Sequence, residues 1–107
     1  MLFSFIELPP FAAMREELFD DDDYALFQIS LGANPDSGEV IPGTRGCRKV
    51  RWKGSGRGKK GGARVIYFLH NAAGQIVLVA GYMKNERDDV PRPWLKRLKQ
   101  EWEHEQS

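Results

Sequence analysis

Apolar and polar positions alternate most clearly between residues 46 and 84, and three strands follow from that pattern. The first, about Gly46 to Lys53, sets Val50 and Trp52 on one side and Lys49 and Arg51 on the other. The second, about Ala63 to Leu69, is rich in β-branched and aromatic residues and carries Arg64 at its start. The third, about Gln75 to Met83, runs out into Lys84 and Asn85. His70-Asn71-Ala72-Ala73-Gly74 has the composition of a hairpin loop, and a glycine-rich loop, Gly54 to Gly62, joins the first two strands.

Upstream, Leu2 to Leu8 predicts a short apolar strand stopped by Pro9 and Pro10. Phe11, Met14 and Leu18 then recur at helical spacing, which predicts a helix from about Pro10 to Phe19. The aspartate run Asp20 to Asp23 breaks the pattern. Asp22 or Asp23 suits the N-cap of a second helix through Leu31, with Tyr24, Phe27 and Leu31 on one face and Gly32 as its C-terminal cap. Asn34 to Gly38 is a turn by composition. Asp88 or Asp89 suits the cap of a last helix whose stripe is Trp94 or Leu95, then Leu98 and Trp102, with fraying expected after Glu103. The order is strand, two helices, three strands, helix. It implies one α+β domain over residues 1–107, with the helices on one face of a small antiparallel sheet and Lys49, Arg51 and Arg64 on the other.

The net charge of +1 hides a sharp segregation. Residues 1–42 hold nine acidic residues and one basic; residues 43–70 hold nine basic residues and no acid. A cationic surface so concentrated attracts polyanions, nucleic acid above all. One cysteine and two separated histidines assemble no zinc site, and no metal or cofactor is expected. Cys47 reads as a small packing residue. No apolar run is long enough to span a membrane, no signal peptide is evident, and a cytoplasmic location is expected. Gly56-Arg57-Gly58-Lys59-Lys60-Gly61 matches the spacing of a dinucleotide fingerprint, but a strand follows where a helix is needed. The loop reads instead as a basic flap over a phosphate backbone.

Three segments together carry a family resemblance. They are Ile41-Pro42-Gly43-Thr44-Arg45-Gly46-Cys47-Arg48-Lys49-Val50-Arg51-Trp52, Gly61-Gly62-Ala63-Arg64-Val65-Ile66-Tyr67-Phe68 and Tyr82-Met83-Lys84-Asn85-Glu86. In this order they resemble the RelE/HigB superfamily of toxins from bacterial toxin–antitoxin modules, in particular its HigB-2 branch. The resemblance implies a RelE-like α+β fold and ribosome-dependent cleavage of messenger RNA. It also implies a HigA-like helix-turn-helix antitoxin as partner, through which the complex would bind operator DNA. The strand cations of such enzymes fall on Lys49 and Arg51, the arginine opening the next strand on Arg64, and the end of the last strand on Lys84, Asn85 and Glu86. Asn85 stands where the family has a catalytic arginine, and Pro91 lies about where its C-terminal tyrosine would be.

RNA carries its own nucleophile, the 2′-hydroxyl, so the protein must align it and stabilise charge on phosphorus. Lys84 and Lys49 are candidates for base or orientation, Arg64 and Arg51 for transition-state charge, and Asn85 for hydrogen bonding. Arg45, Arg48, Lys53, Arg57, Lys59, Lys60 and Arg87 are candidates for holding RNA and ribosome. A ParE-like gyrase-inhibiting toxin and a non-enzymatic RNA- or ribosome-binding protein remain the alternatives.

Overall fold

The strand that opens the chain pairs with the strand that closes the sheet. In a computed structural model, which describes residues 2–53, 62–84, 86 and 89–106, β1 (Ser4–Glu7) runs parallel to β5 (Gln75–Met83). Between them in sequence come α1 (Pro9–Leu18), α2 (Asp21–Ala33), β2 (Glu39–Val40), β3 (Arg48–Trp52) and β4 (Ala63–His70); α3 (Arg92–Gln106) follows β5. The strands form one sheet in the order β1-β5-β4-β3-β2, antiparallel except at β1.

The α+β architecture and the element order agree with expectation. The layering differs, because helices cover both faces of the sheet. On one face α1 and α2 set Phe11, Leu18, Tyr24, Phe27 and Leu31 over Val65, Tyr67, Ile76 and Leu78. On the other, α3 lays Leu95 and Trp102 over Ile66, Phe68, Val77 and Val79, with buried Cys47 and Ile41 beside them. The physical reason lies in β4 and β5, whose apolar runs are continuous rather than alternating, so neither face could be left to water.

Local boundaries follow the capping chemistry. The cap of α2 is Asp20, not Asp22 or Asp23: its side chain accepts a hydrogen bond of 2.7 Å from the Asp23 N–H. Gly32 lies inside α2, which ends at Asn34. The Asp89 carboxylate accepts from the Val90 N–H at 2.8 Å, and α3 begins at Arg92; Asp88 lies outside the described residues. The last helix does not fray at Glu103 but continues to Gln106, clamped by Trp102 edge-on against Phe68 and by a Lys99–Glu103 pair at 2.8 Å. Strand β2, two residues long, was not predicted.

A bulge near the middle of β5 decides which way its second half faces. Opposite Ile66 and Tyr67 it inserts Val79 as an extra residue. Ile76 and Leu78 therefore face α1 and α2, whereas Ala80 and Tyr82 face the α3 side. Gly81 then lies directly under α1, where any Cβ would run into the Leu18 side chain.

Candidate functional site

Cross-strand register assembles the site. Arg51 of β3 lies opposite Arg64 of β4, and Arg64 lies opposite Tyr82 of β5. One step along, Glu39, Lys49, Ile66 and Ala80 form the next row. Alternation puts Val50 and Trp52 on the α2 face, where Trp52 meets Phe27 edge-on. Lys49 and Arg51 are thereby turned to the α3 face. The α3-side cluster extends to Ile66, Ala80 and Tyr82; at the Arg51–Arg64 end an open groove of about 370 Å³ is lined by Ser37, Glu39, Lys49, Val50, Arg51 and Arg64.

The groove is cationic, with one carboxylate, Glu39, among its lining residues. Lys49 is half-buried and its Nζ lies 3.9 Å from Asp89 Oδ1, an exposed pair of little strength that leaves the ammonium available to a phosphate. Lys84 follows β5 directly; its N–H reaches the Gly62 carbonyl at 3.4 Å, which holds its backbone at the end of the sheet, one step past the Ala63–Met83 pair. Lys53 extends β3 in the same direction and is exposed. Lys49, Arg51 and Arg64 line the groove, whereas Lys84 and Lys53 follow β5 and β3 and are not among its lining residues.

Two other predicted cations lie elsewhere. Arg48 is paired with Tyr67 on the opposite face, and its guanidinium donates to the carbonyls of Gly38 at 2.8 Å and Asp36 at 3.1 Å. Tyr67 completes the same clamp: its hydroxyl donates to the Pro35 carbonyl at 2.7 Å and accepts from the Gly38 N–H at 2.9 Å. Gly38 is required there, since a Cβ would approach the Tyr67 ring to 2.8 Å. Arg45 sits in the turn before β3 with a left-handed backbone, φ 63°, at the far end of the strand from Arg51. That turn is built on buried Thr44, whose hydroxyl donates to the Ile41 carbonyl and accepts from the Cys47 N–H. Burial pushes the Cys47 thiol up from its ordinary value, which suits packing rather than nucleophilic chemistry. The expected site residues Asn85, Arg57, Lys59, Lys60 and Arg87 lie outside the described residues.

The clamp explains two groove residues that sequence reasoning missed. Tyr67 and Arg48 fix the 35–38 turn beside the groove, which Ser37 and Glu39 line. Tyr82 was also missed. Read by strict alternation from Ile76, it belongs with the α1–α2 core; the bulge turns it to Arg64 instead. A second cleft, also about 370 Å³, lies on the far side of Tyr82 between Pro10, Met14, Val90 and Trp94. It has no charged lining residue and does not suit a polyanion.

No family model matches the sequence. Among solved structures, a mutant of the E. coli toxin RelE in the free state has a similar fold, with a TM-score of 0.60 over 82% of this chain and 90% of that one at 10% identity. The chain therefore has a RelE-like α+β fold.

Proposed function

We propose that this chain is the toxin of a type II toxin–antitoxin module, a HigB-2-like endoribonuclease that cleaves messenger RNA in the ribosomal A site. The observation that carries the reading is the Arg51–Arg64 pair, two guanidinium groups held opposite one another on strands, in an open groove of a RelE-like fold. Two guanidinium groups in direct register favour an anionic ligand lying across them.

The reaction needs no cofactor. The 2′-hydroxyl gives its proton to a base as its oxygen attacks the adjacent phosphorus. The bond from phosphorus to the 5′-oxygen breaks, and that oxygen takes up a proton. The products are a 2′,3′-cyclic phosphate and a 5′-hydroxyl. Arg51 and Arg64 neutralise the charge that grows on the phosphoryl oxygens. Lys84, held by the sheet end, takes the proton or orients the hydroxyl, and Lys49 binds the neighbouring phosphate. Asn85 supplies a hydrogen bond to the same phosphoryl group. Lys53, Arg57, Lys59, Lys60, Arg87 and Arg45 extend the contact with RNA and ribosome. Without a histidine base the chain acts slowly on free RNA, and the ribosome supplies alignment. A HigA-like helix-turn-helix antitoxin neutralises it in the cytoplasm and carries the complex to operator DNA.

The test is incubation of the purified chain with ribosomes programmed with end-labelled message. Cuts within the A-site codon, ending in 2′,3′-cyclic phosphate and lost in Arg64→Ala, are expected. Association should weaken steeply with added salt, as release of counterions requires. Arrest of translation on intact message would instead establish a non-enzymatic binder, and gyrase-dependent DNA damage a ParE-like toxin.

A further inference from the structure

We infer that the uncharged cleft beyond Tyr82 receives a nucleobase of the RNA, stacked on Trp94 and read by the peptide groups of Gly81, while the adjoining phosphate lies on Arg64. The inference rests on RNA being the substrate, and it adds to the cationic groove a part that reads sequence.

Three observations meet at this cleft. First, it adjoins the groove. Tyr82, which lines it, lies opposite Arg64 in the β4–β5 register, one strand spacing of about 4.8 Å away. Asp89, whose carboxylate lies 3.9 Å from Lys49 of the groove, is followed by Val90, which also lines the cleft. A base hangs one ribose away from its phosphate, so a nucleotide whose phosphate lies on Arg64 has its base within reach of the cleft.

Second, the cleft opens onto a length of sheet edge. β1 pairs with β5 only from Gln75 to Leu78, and the chain then turns into α1. The Lys84 N–H bonds the Gly62 carbonyl, so by the period of two Tyr82 and Ala80 also turn their peptide groups to β4. Those of Gly81 turn away from β4, into the cleft that this residue lines. Among the described residues nothing bonds the Gly81 N–H or carbonyl. A donor and an acceptor side by side suit a partner that brings an acceptor beside a donor, and every base carries both on its pairing edge. A peptide strand would gain less there, because the next outward carbonyl, that of Met83, is taken by the Glu86 N–H.

Third, the walls suit a flat, uncharged ring. Pro10 and Met14 come from α1, and Val90 and Trp94 from the segment that leads into and opens α3, around a volume of about 370 Å³. No charged residue lines the cleft, so it fits the base and leaves the phosphate to the groove. Trp94 is half-buried and packed on the α3-side core, which steadies its ring as a surface on which a base stacks.

The probes are the common ribonucleoside 3′-monophosphates, with ribose 5-phosphate as the base-free control, titrated into the full chain and followed by NMR. At least one nucleotide should shift the Gly81 amide and the Trp94 indole N–H, whereas ribose phosphate should move only signals around Arg64. Trp94→Ala should weaken nucleotide binding at least about tenfold and leave ribose phosphate binding unchanged. Met14→Glu, at a half-buried position on α1, should do the same while keeping the unfolding midpoint, by setting a carboxylate in the cleft. On programmed ribosomes both variants should flatten the choice among A-site codons. Shifts confined to the groove, an equal response of Gly81 and Trp94 to ribose phosphate, or indifference to both variants would overturn the inference even where message is cut. Base-dependent shifts at Gly81 and Trp94 with no cutting of message would uphold the cleft and overturn the cleavage reading alone. Binding of an end-blocked valine–threonine peptide at Gly81 in place of the nucleotides would overturn the inference in favour of an added strand.

Discussion

Arg51 and Arg64 face each other across the β3–β4 ladder, with no acid between them in the register. Like charges directly opposite disfavour a sheet, and an anion lying across both would offset that. Replacing exposed Arg51 with Gln should therefore leave the fold as stable or raise its stability by about 0.2–1 kcal/mol. Removing either guanidinium should lower cleavage on programmed ribosomes by about 10²-fold or more. Denaturant midpoints and cleavage rates measured on the same preparations check this. A loss of activity that tracks a loss of stability would reduce the pair to a structural role.

Lys84 is held by the sheet end, and its loss should affect the chemical step rather than binding. In single-turnover cleavage at saturating protein, Lys84→Ala should be slower by about 10²–10⁴-fold. Glu39→Gln should cut at near the unaltered rate. The reverse result would move the proton from the lysine to the carboxylate of the groove.

Arg48 and Arg51 are three residues apart on one strand but face opposite ways. Arg48→Ala should lower the denaturant midpoint, because the Gly38 and Asp36 carbonyls lose a charged donor, and should leave the salt dependence of ribosome binding unchanged. Arg51→Ala should reduce that salt slope by about one. Tyr67→Phe strands the Gly38 N–H and the Pro35 carbonyl, and should cost about 1–3 kcal/mol of stability. Equal salt slopes for the two arginine variants would return Arg48 to the RNA surface.

Two buried phenols set an alkaline limit. Burial, then the hydrogen bond that Tyr24 donates to Glu7 at 2.6 Å, holds the Tyr24 phenol well above its ordinary value of 10.0. Burial raises Tyr67 likewise. Below that ordinary value both phenols are protonated whether the chain is folded or not, and their effect on stability is constant. Above it the unfolded chain ionises first, so stability should fall with rising pH, by up to about 1.4 kcal/mol per pH unit for each phenol. Urea titrations across this range should show a shallower decline for Tyr24→Phe. An unchanged slope would mean that the phenol ionises as readily folded as unfolded.

The strand–helix order and the cationic strands were legible because they rest on local pattern. The alternation of Val50 and Trp52 with Lys49 and Arg51 needs no partner to be read, and β5 runs from Gln75 to Met83 as its composition implies. What local pattern does not show shares a cause, namely dependence on what lies across the sheet. The parallel pairing of β1 is a contact between the two ends of the fold. The side taken by Tyr82 depends on a bulge whose extra residue, Val79, is like any other valine in sequence. The role of Arg48 depends on carbonyls ten and twelve residues earlier in the chain, which no spacing rule connects to it.

That the first strand lies against the last has a bearing on the order of assembly. Helices α1 and α2 are made early, yet the Ile76 and Leu78 side chains they bury against, and the carbonyls that β1 bonds, arrive only with β5. Until then the acidic, aromatic front third of the chain has no floor to settle on, and the cationic strands emerge before their flanks are secured. Contacts of such long sequence separation slow folding and postpone it to near the end of synthesis. A chain built this way settles its front third only after β5 has been made.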